Sequence, residues 1–171
     1  MKWVECNIQY KDDDKEHGDF VLNTFVSPYV RKLRREKAFE SWHYFREPEI
    51  RLRFYGEDAK IDKIHEELDS KLTKKEKKSE IFLSHAFGRH GENGEYYGES
   101  YLYGIDVWNL VYKSWEALSD VSLKICSTIP YTDRPIKFHA QRFTHLFLNQ
   151  MGMSLRDERV FFYEMLGSKL I

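Results

Sequence analysis

Three arginines fall within eight residues of this chain, Arg46, Arg51 and Arg53, inside the segment SWHYFREPEIRLRF from Ser41 to Phe54. Guanidiniums are permanently charged and present forked donors, so a fixed row of them suits carboxylates or phosphates. The segment reads as two strands joined by a turn at Glu47-Pro48. Alternation puts Arg51 and Arg53 on one face of the second strand, with Ile50, Leu52 and Phe54 on the other. Arg46, across the turn, is expected to join the row. The same residues also read as a solvated face whose arginines pair with nearby acids, since surface arginines are mostly structural.

Two further groups have chemical potential. The stretch from Tyr96 to Gly104 carries four tyrosines and one carboxylate, just ahead of a long helical pattern. Tyr97, Glu99 and Tyr103 there suit an extended peptide, through ring faces and hydroxyls. A loop that merely shields the core fits as well. His145 and Asn149 form an i, i+4 pair on a helix whose apolar stripe includes Phe138, Phe143, Leu146 and Phe147. Imidazole titrates near neutrality, which suits acid–base work. A helix histidine bonded to a backbone carbonyl is the plainer alternative.

Several chemistries find no support. Among the seven histidines, neither His85 with His90 nor His139 with His145 has convincing metal spacing, and zinc wants about four convergent ligands. No metal and no cofactor are expected. Gly88, Gly91 and Gly94 match neither nucleotide-binding fingerprint, and no Gly-x-Ser-x-Gly elbow is present. Cys6 and Cys126 read as small buried apolar residues. With 27 basic and 28 acidic residues the net charge is -1, so no global pull toward nucleic acid or an anionic membrane is expected. No apolar run approaches the roughly 20 residues of a bilayer span. The first residues, Met1 to Cys6, lack the apolar core of a signal peptide. The expected location is cytoplasmic.

These groups must be positioned by an α+β architecture, expected as a single domain over residues 1–171. Strands are predicted near 3–9, 41–47, 49–56 and 80–88, in a mixed or antiparallel sheet. Helices are predicted near 20–36, 58–73, 105–126, 135–151 and 154–168. In the first strand Trp3, Glu5 and Asn7 alternate against Val4, Cys6 and Ile8. Asp19 is placed as the cap of the first helix, and Pro28 is expected to split that helix, with an end near Thr24 and a restart at Ser27. In the long helix the predicted stripe is Val107, Trp108, Val111, Trp115, Leu118 and Leu123. The tract Lys74 to Lys78 is predicted to be a polar linker.

The three groups, in this order, resemble the small C-terminal domain of lantibiotic dehydratases, also found as the free-standing thiopeptide-type bacteriocin biosynthesis domain. That family opens with a tryptophan-containing strand and a helix with a central proline, as with Trp3 and Pro28. It continues with a Phe-x-Arg-Tyr-like strand and a His-Leu-Arg-Leu-Arg strand. Phe45-Arg46 and Ile50-Arg51-Leu52-Arg53-Phe54 fit, with Glu49 at the histidine place. A Tyr-x-x-Glu-x-x-Arg-Tyr-Gly-Gly segment follows in the family. Glu99 to Tyr103-Gly104 fits its frame, with Leu102 at the arginine place and Ile105 at the second glycine. A late His-Met-x-x-Asn-Arg-Leu segment is matched by His145 to Gly152, with Gln150 at the arginine place.

The resemblance implies work on ribosomally made peptides. Members eliminate glutamate from glutamylated Ser or Thr, or join two dehydroalanines in a [4+2] cyclisation. By that analogy Arg51 and Arg53 are candidate catalytic cations and His145 a candidate acid–base group. Arg46, Tyr97, Glu99, Tyr103 and Asn149 are candidate substrate binders. The implied partners are a precursor peptide and a separate glutamylating dehydratase, and a homodimer is left open. Because Leu102 and Gln150 replace arginines, a non-catalytic peptide-binding or complex-forming subunit is the alternative reading.

Overall fold

Alternation of apolar and polar residues decides the sheet. In the computed structural model, which describes residues 1–11, 15–46, 49–88, 96–128 and Val160, four strands form one antiparallel sheet in the order β2-β3-β1-β4. The strands are β1 (Lys2–Tyr10), β2 (Ser41–Phe45), β3 (Ile50–Gly56) and β4 (Phe82–Phe87). Register pairs Val4 with Phe54 and Cys6 with Leu52, while Trp42 pairs with Phe54 and Tyr44 with Leu52. One face of the sheet is therefore almost wholly apolar. The helices are α1 (Lys15–Val21), α2 (Ser27–Arg35), α3 (Asp58–Glu76), α4 (Ser100–Tyr103) and α5 (Ile105–Thr128). The α+β class read from the sequence holds.

The apolar face is covered by α2 and α3. Tyr29, Val30 and Leu33 of α2 are buried, as are Ile61, Ile64, Leu68 and Leu72 of α3, at helical spacing. Each such side chain contributes about 1.5–3 kcal/mol on burial. Between α1 and α2 the chain does not break as predicted. It stays helical through a π-turn, Leu22–Val26, in which the Ser27 N–H reaches the Leu22 carbonyl. Pro28 explains this. A proline near the start of α2 supplies no N–H and crowds the preceding turn, and widening that turn relieves the crowding. The Thr24 hydroxyl bonds the Phe20 carbonyl at 2.7 Å, so the wide turn is tied from within.

Two other expectations are corrected. Asp19 lies inside α1, 8 % exposed, and is not its cap. The lysine tract is not wholly linker, because Lys74 and Lys75 form the last turn of α3.

On α5 the buried residues are Trp108, Tyr112, Ser119 and Leu123, whereas Val107 is exposed. Trp108 and Leu123 belong to the predicted stripe, whose Val111, Trp115 and Leu118 are half-buried; Tyr112 and Ser119 join the buried set because α5 does not lie on an apolar surface. Its first half meets the polar and aromatic face of the sheet. It then crosses the edge strand, where the Ser119 hydroxyl accepts the Tyr44 N–H at 3.1 Å. Its end reaches the helical layer, where the Asn23 amide bonds the Cys126 carbonyl at 3.0 Å.

The chain divides into two compact units, Met1–Tyr131 and Thr132–Ile171. Val160, which is helical, is the one described residue of the second. The predicted helix 135–151, and with it His145, Asn149 and Gln150, lies outside the described residues, as does the predicted helix 154–168 apart from Val160. Among the described residues no helix is long and apolar enough to cross a membrane.

Candidate functional site

The second sheet face is built in cross-strand rows. Glu5, Arg53 and His43 stand opposite one another on β1, β3 and β2. On one side of this row lie Trp3, Tyr55 and Ser41, and on the other Asn7, Arg51 and Phe45. Strand period alone keeps all nine on one face.

Arg53 is the centre of the face and is 1 % exposed. Its Nε donates to Glu5 Oε2 at 2.6 Å and its Nη1 donates to Glu99 Oε1 at 3.0 Å. The guanidinium lies between two rings, with Cζ 4.2 Å from the centroid of Tyr96 and 4.9 Å from that of Phe45. Stacking on aromatic faces and forked pairing are what distinguish arginine from lysine at such a place. The segment that brings Tyr96 and Glu99 over Arg53 turns at Gly98, whose φ is +84°. A Cβ there would stand 3.0 Å from Trp3 Nε1 and 3.1 Å from the Trp108 ring. Only glycine lets this backbone settle against the two indoles.

His43 is fully buried among Trp3, Phe45 and Trp115, with ring centroids 5.4, 5.6 and 4.9 Å away. Burial holds its pKa well below the usual histidine range, and the neighbouring Arg53 charge adds to the effect. The imidazole is therefore neutral near pH 7. Its Nε2 lies 3.4 Å from Arg53 Nη1. Since Arg53 can only donate, Nε2 accepts and the proton sits on Nδ1, which has no partner among the described residues. The Tyr96 hydroxyl is likewise buried without a partner among them. Among the described residues the cluster holds one cation, two carboxylates and a neutral imidazole, a formal charge of -1.

The predicted residues separate into two sets. Arg53 and Glu99 are bonded to each other. Arg51 shares their face, and its Nε donates to Glu49 Oε1 at 3.0 Å. Tyr103 lies over the same aromatic layer, stacked on Trp108 at 6.0 Å, and Tyr97 is largely exposed beside it. Arg46 does not join the row. It has the strand parity of Trp42 and Tyr44, so it points to the opposite face, where its Nη1 pairs with Asp19. Gly18 leaves room for this, because a Cβ there would meet the Arg46 guanidinium at 2.8 Å. Leu102 is exposed on α4.

Glu5, His43 and Tyr96 were missed as site residues. Glu5 did carry a signal, as an acid alternating in register with Trp3 and Asn7 on a strand whose other face is apolar.

Beside the cluster opens a pocket of about 680 Å³, lined by Trp3, Glu5, Tyr55, Tyr96, Trp108 and Tyr112 among others. Among the described residues no group of three or more metal-ligating side chains converges.

An antiparallel sheet backed by helices, with a buried, doubly paired arginine under an aromatic cover, makes this a domain of the α+β class. Residues 3–170 match the family of the lantibiotic biosynthesis dehydratase C-terminal domain, and the chain belongs to that family. No curated protein and no solved structure matches it. Membership places the chain in the biosynthesis of ribosomally made, post-translationally modified peptides, a system built around a precursor peptide.

Proposed function

We propose that the protein tailors a modified precursor peptide by ring-forming cyclisation of dehydroamino acids, in preference to glutamate elimination. The charge state of the Arg53 cluster carries this choice. Glutamate departs as a carboxylate, so elimination calls for surplus positive charge at the leaving group. Here Arg53 is already bonded by Glu5 and Glu99, and Leu102 stands where the family pattern has an arginine. Loss of one stabilising donor or cation lowers such a rate by about 10²–10³-fold. Joining two dehydroalanines expels no anion in the ring-forming step. It needs the two alkenes held close and in register, and a walled pocket beside a fixed polar cluster supplies that kind of confinement. In this reading Arg51, bonded by one carboxylate, meets the peptide backbone. His145 is carried over from the family motif as proton donor, and Tyr97 and Tyr103 flank the peptide.

The test is reconstitution with two synthetic precursor peptides, one glutamylated and one already carrying dehydroalanines, read by mass spectrometry and fragmentation. The expected outcome is a ring formed from the second peptide and no glutamate release from the first. Arg51→Ala and His145→Ala are expected to lose product while retaining the folded circular dichroism spectrum. Glutamate release from the first peptide would reverse the preference.

A second reading, a non-catalytic peptide-binding subunit, is favoured by the pairing of Arg46, Arg51 and Arg53 with acids of the chain itself. It predicts binding of both peptides, no product, and no effect of His145→Ala.

A further inference from the structure

We infer that the pocket beside the Arg53 cluster receives one uncharged aromatic side chain of the peptide, an inference that rests on the peptide-tailoring reading above. The walls are rings in mutual contact. Trp3 is the hub, with centroids of Tyr55, Tyr96, Trp108 and Tyr112 at 4.9, 5.7, 5.9 and 5.5 Å. Their planes are tilted or edge-on to Trp3, at 30, 81, 53 and 78°. Trp3 and Tyr55 are half-buried at the pocket and are backed by the buried rings of Tyr96, Trp108 and Tyr112, so an added ring finds stacked or edge-to-face partners in the half-buried pair at centroid separations of about 4.5–7 Å. The volume of about 680 Å³ falls within the usual range for ligand sites, about 300–1,000 Å³.

The charges on the lining decide against an ionic guest. Asp62 is paired with Lys2, and Glu5 with Arg53. The Met1 ammonium on the same lining is paired with Asp58, so an ionic guest of either sign would have to compete with a partner already in place. An uncharged ring displaces nothing and gains contact on several sides. The rim continues the same chemistry. Tyr97 and Ile105, 77 and 71 % exposed, line the mouth, and Leu102, Val107 and Leu110 extend an exposed apolar surface along α4 and the start of α5. The residues flanking the inserted ring have an apolar surface to lie on.

The full-length protein labelled with 5-fluorotryptophan gives one ¹⁹F signal for each of its four tryptophans, assigned by single Trp→Phe variants. Capped tripeptides Ac-Gly-X-Gly-NH₂ with X as Phe, Leu, Lys or Glu are titrated in. The expected result is a saturable shift of the Trp3 and Trp108 signals with Phe. Half-saturation should come at a concentration about tenfold lower than with Leu, Lys or Glu, a difference of about 1.4 kcal/mol. Trp42, buried on the opposite face, should stay still and serves as the control for folding. Asn109→Phe, an exposed position on the pocket lining, should fill the space and abolish the shift without moving Trp42. The inference is overturned if Leu, Lys or Glu binds as well as Phe, if Phe moves neither Trp3 nor Trp108, or if Asn109→Phe leaves the titration unchanged. Ring formation is scored separately. Product without selectivity for Phe sinks the pocket and leaves the tailoring reading standing; selectivity without product does the reverse.

Discussion

The two faces of the sheet are held by different physics. On one, Val4, Cys6, Ile8, Leu52 and Phe54 meet aliphatic and aromatic side chains of α2 and α3, and among the described residues the one buried charge on that side is Asp19, paired with Arg46. On the other, a cation, a carboxylate and an imidazole stand side by side in one cross-strand row under a layer of tyrosines and tryptophans. The first arrangement is tolerant, because hydrophobic attraction is non-directional. The second is intolerant, since each charged group is bearable in the interior only while its partner is present. A face built this way is poorly suited to stability alone and well suited to holding donors and rings in fixed places.

The sharpest way to break that contrast is to remove one charge. Arg53→Met removes the cation paired with the buried Glu5 and is expected to lower stability by about 3–5 kcal/mol. Glu5→Leu with Arg53→Met should recover more than half of that loss, in urea titrations followed by circular dichroism. A second-site rescue of this kind has no counterpart on the apolar face. There Leu52→Ala is expected to lower stability by about 3 kcal/mol through a cavity, with no dependence on pH between 5 and 8.

The pH dependence of the polar face follows from His43. Its folded pKa is depressed, while the unfolded chain titrates near 6.5. Below about pH 6.5 the unfolded state therefore binds more protons than the folded one, and stability falls as the pH falls. Relative to His43→Asn, the parent chain should lose up to about 1.4 kcal/mol per pH unit between pH 6 and 5. Equal slopes for the two proteins would mean that His43 is protonated when folded.

The smallest expected effect lies outside both faces. Lys37, with φ of +51°, ends α2, and the Ala38 N–H reaches the Leu33 carbonyl in the six-to-one bond of a left-handed helix end. Lys37→Gly should raise stability by about 0.5–1 kcal/mol and leave the behaviour of both faces unchanged.

Much of this was legible in the sequence, for definite reasons. Period two in Trp3 to Gln9 and Ile50 to Phe54 marked both strands and sorted their faces correctly. Ile61, Ile64, Leu68 and Leu72 marked α3. What stayed hidden depends on register between distant segments. Nothing local says that Glu5 stands opposite Arg53, or that Arg53 stands opposite His43. Arg46 is a different case, since its parity with Trp42 and Tyr44 was already visible and the intervening turn obscured it. On α5 the predicted Trp108 and Leu123 are buried and Val111, Trp115 and Leu118 half-buried, and the misses came from taking hydrophobicity alone as the guide to burial. Tyr112 and Ser119 are buried there for their ring and hydroxyl, and Val107 is left outside. Glu99 was read from the tyrosine-rich stretch and again from the family frame, but its pairing with Arg53 depends on the fold.

The π-turn at Leu22–Val26 carries a structural consequence of its own. A stretch closed by an i to i−5 bond holds one residue more than an uninterrupted α-helix of the same rise. The side chains before and after it still point to the same layer. Length and phase are thus decoupled at this one place, so shortening the chain by a residue here would straighten the helix without rotating Tyr29, Val30 or Leu33 away from the sheet.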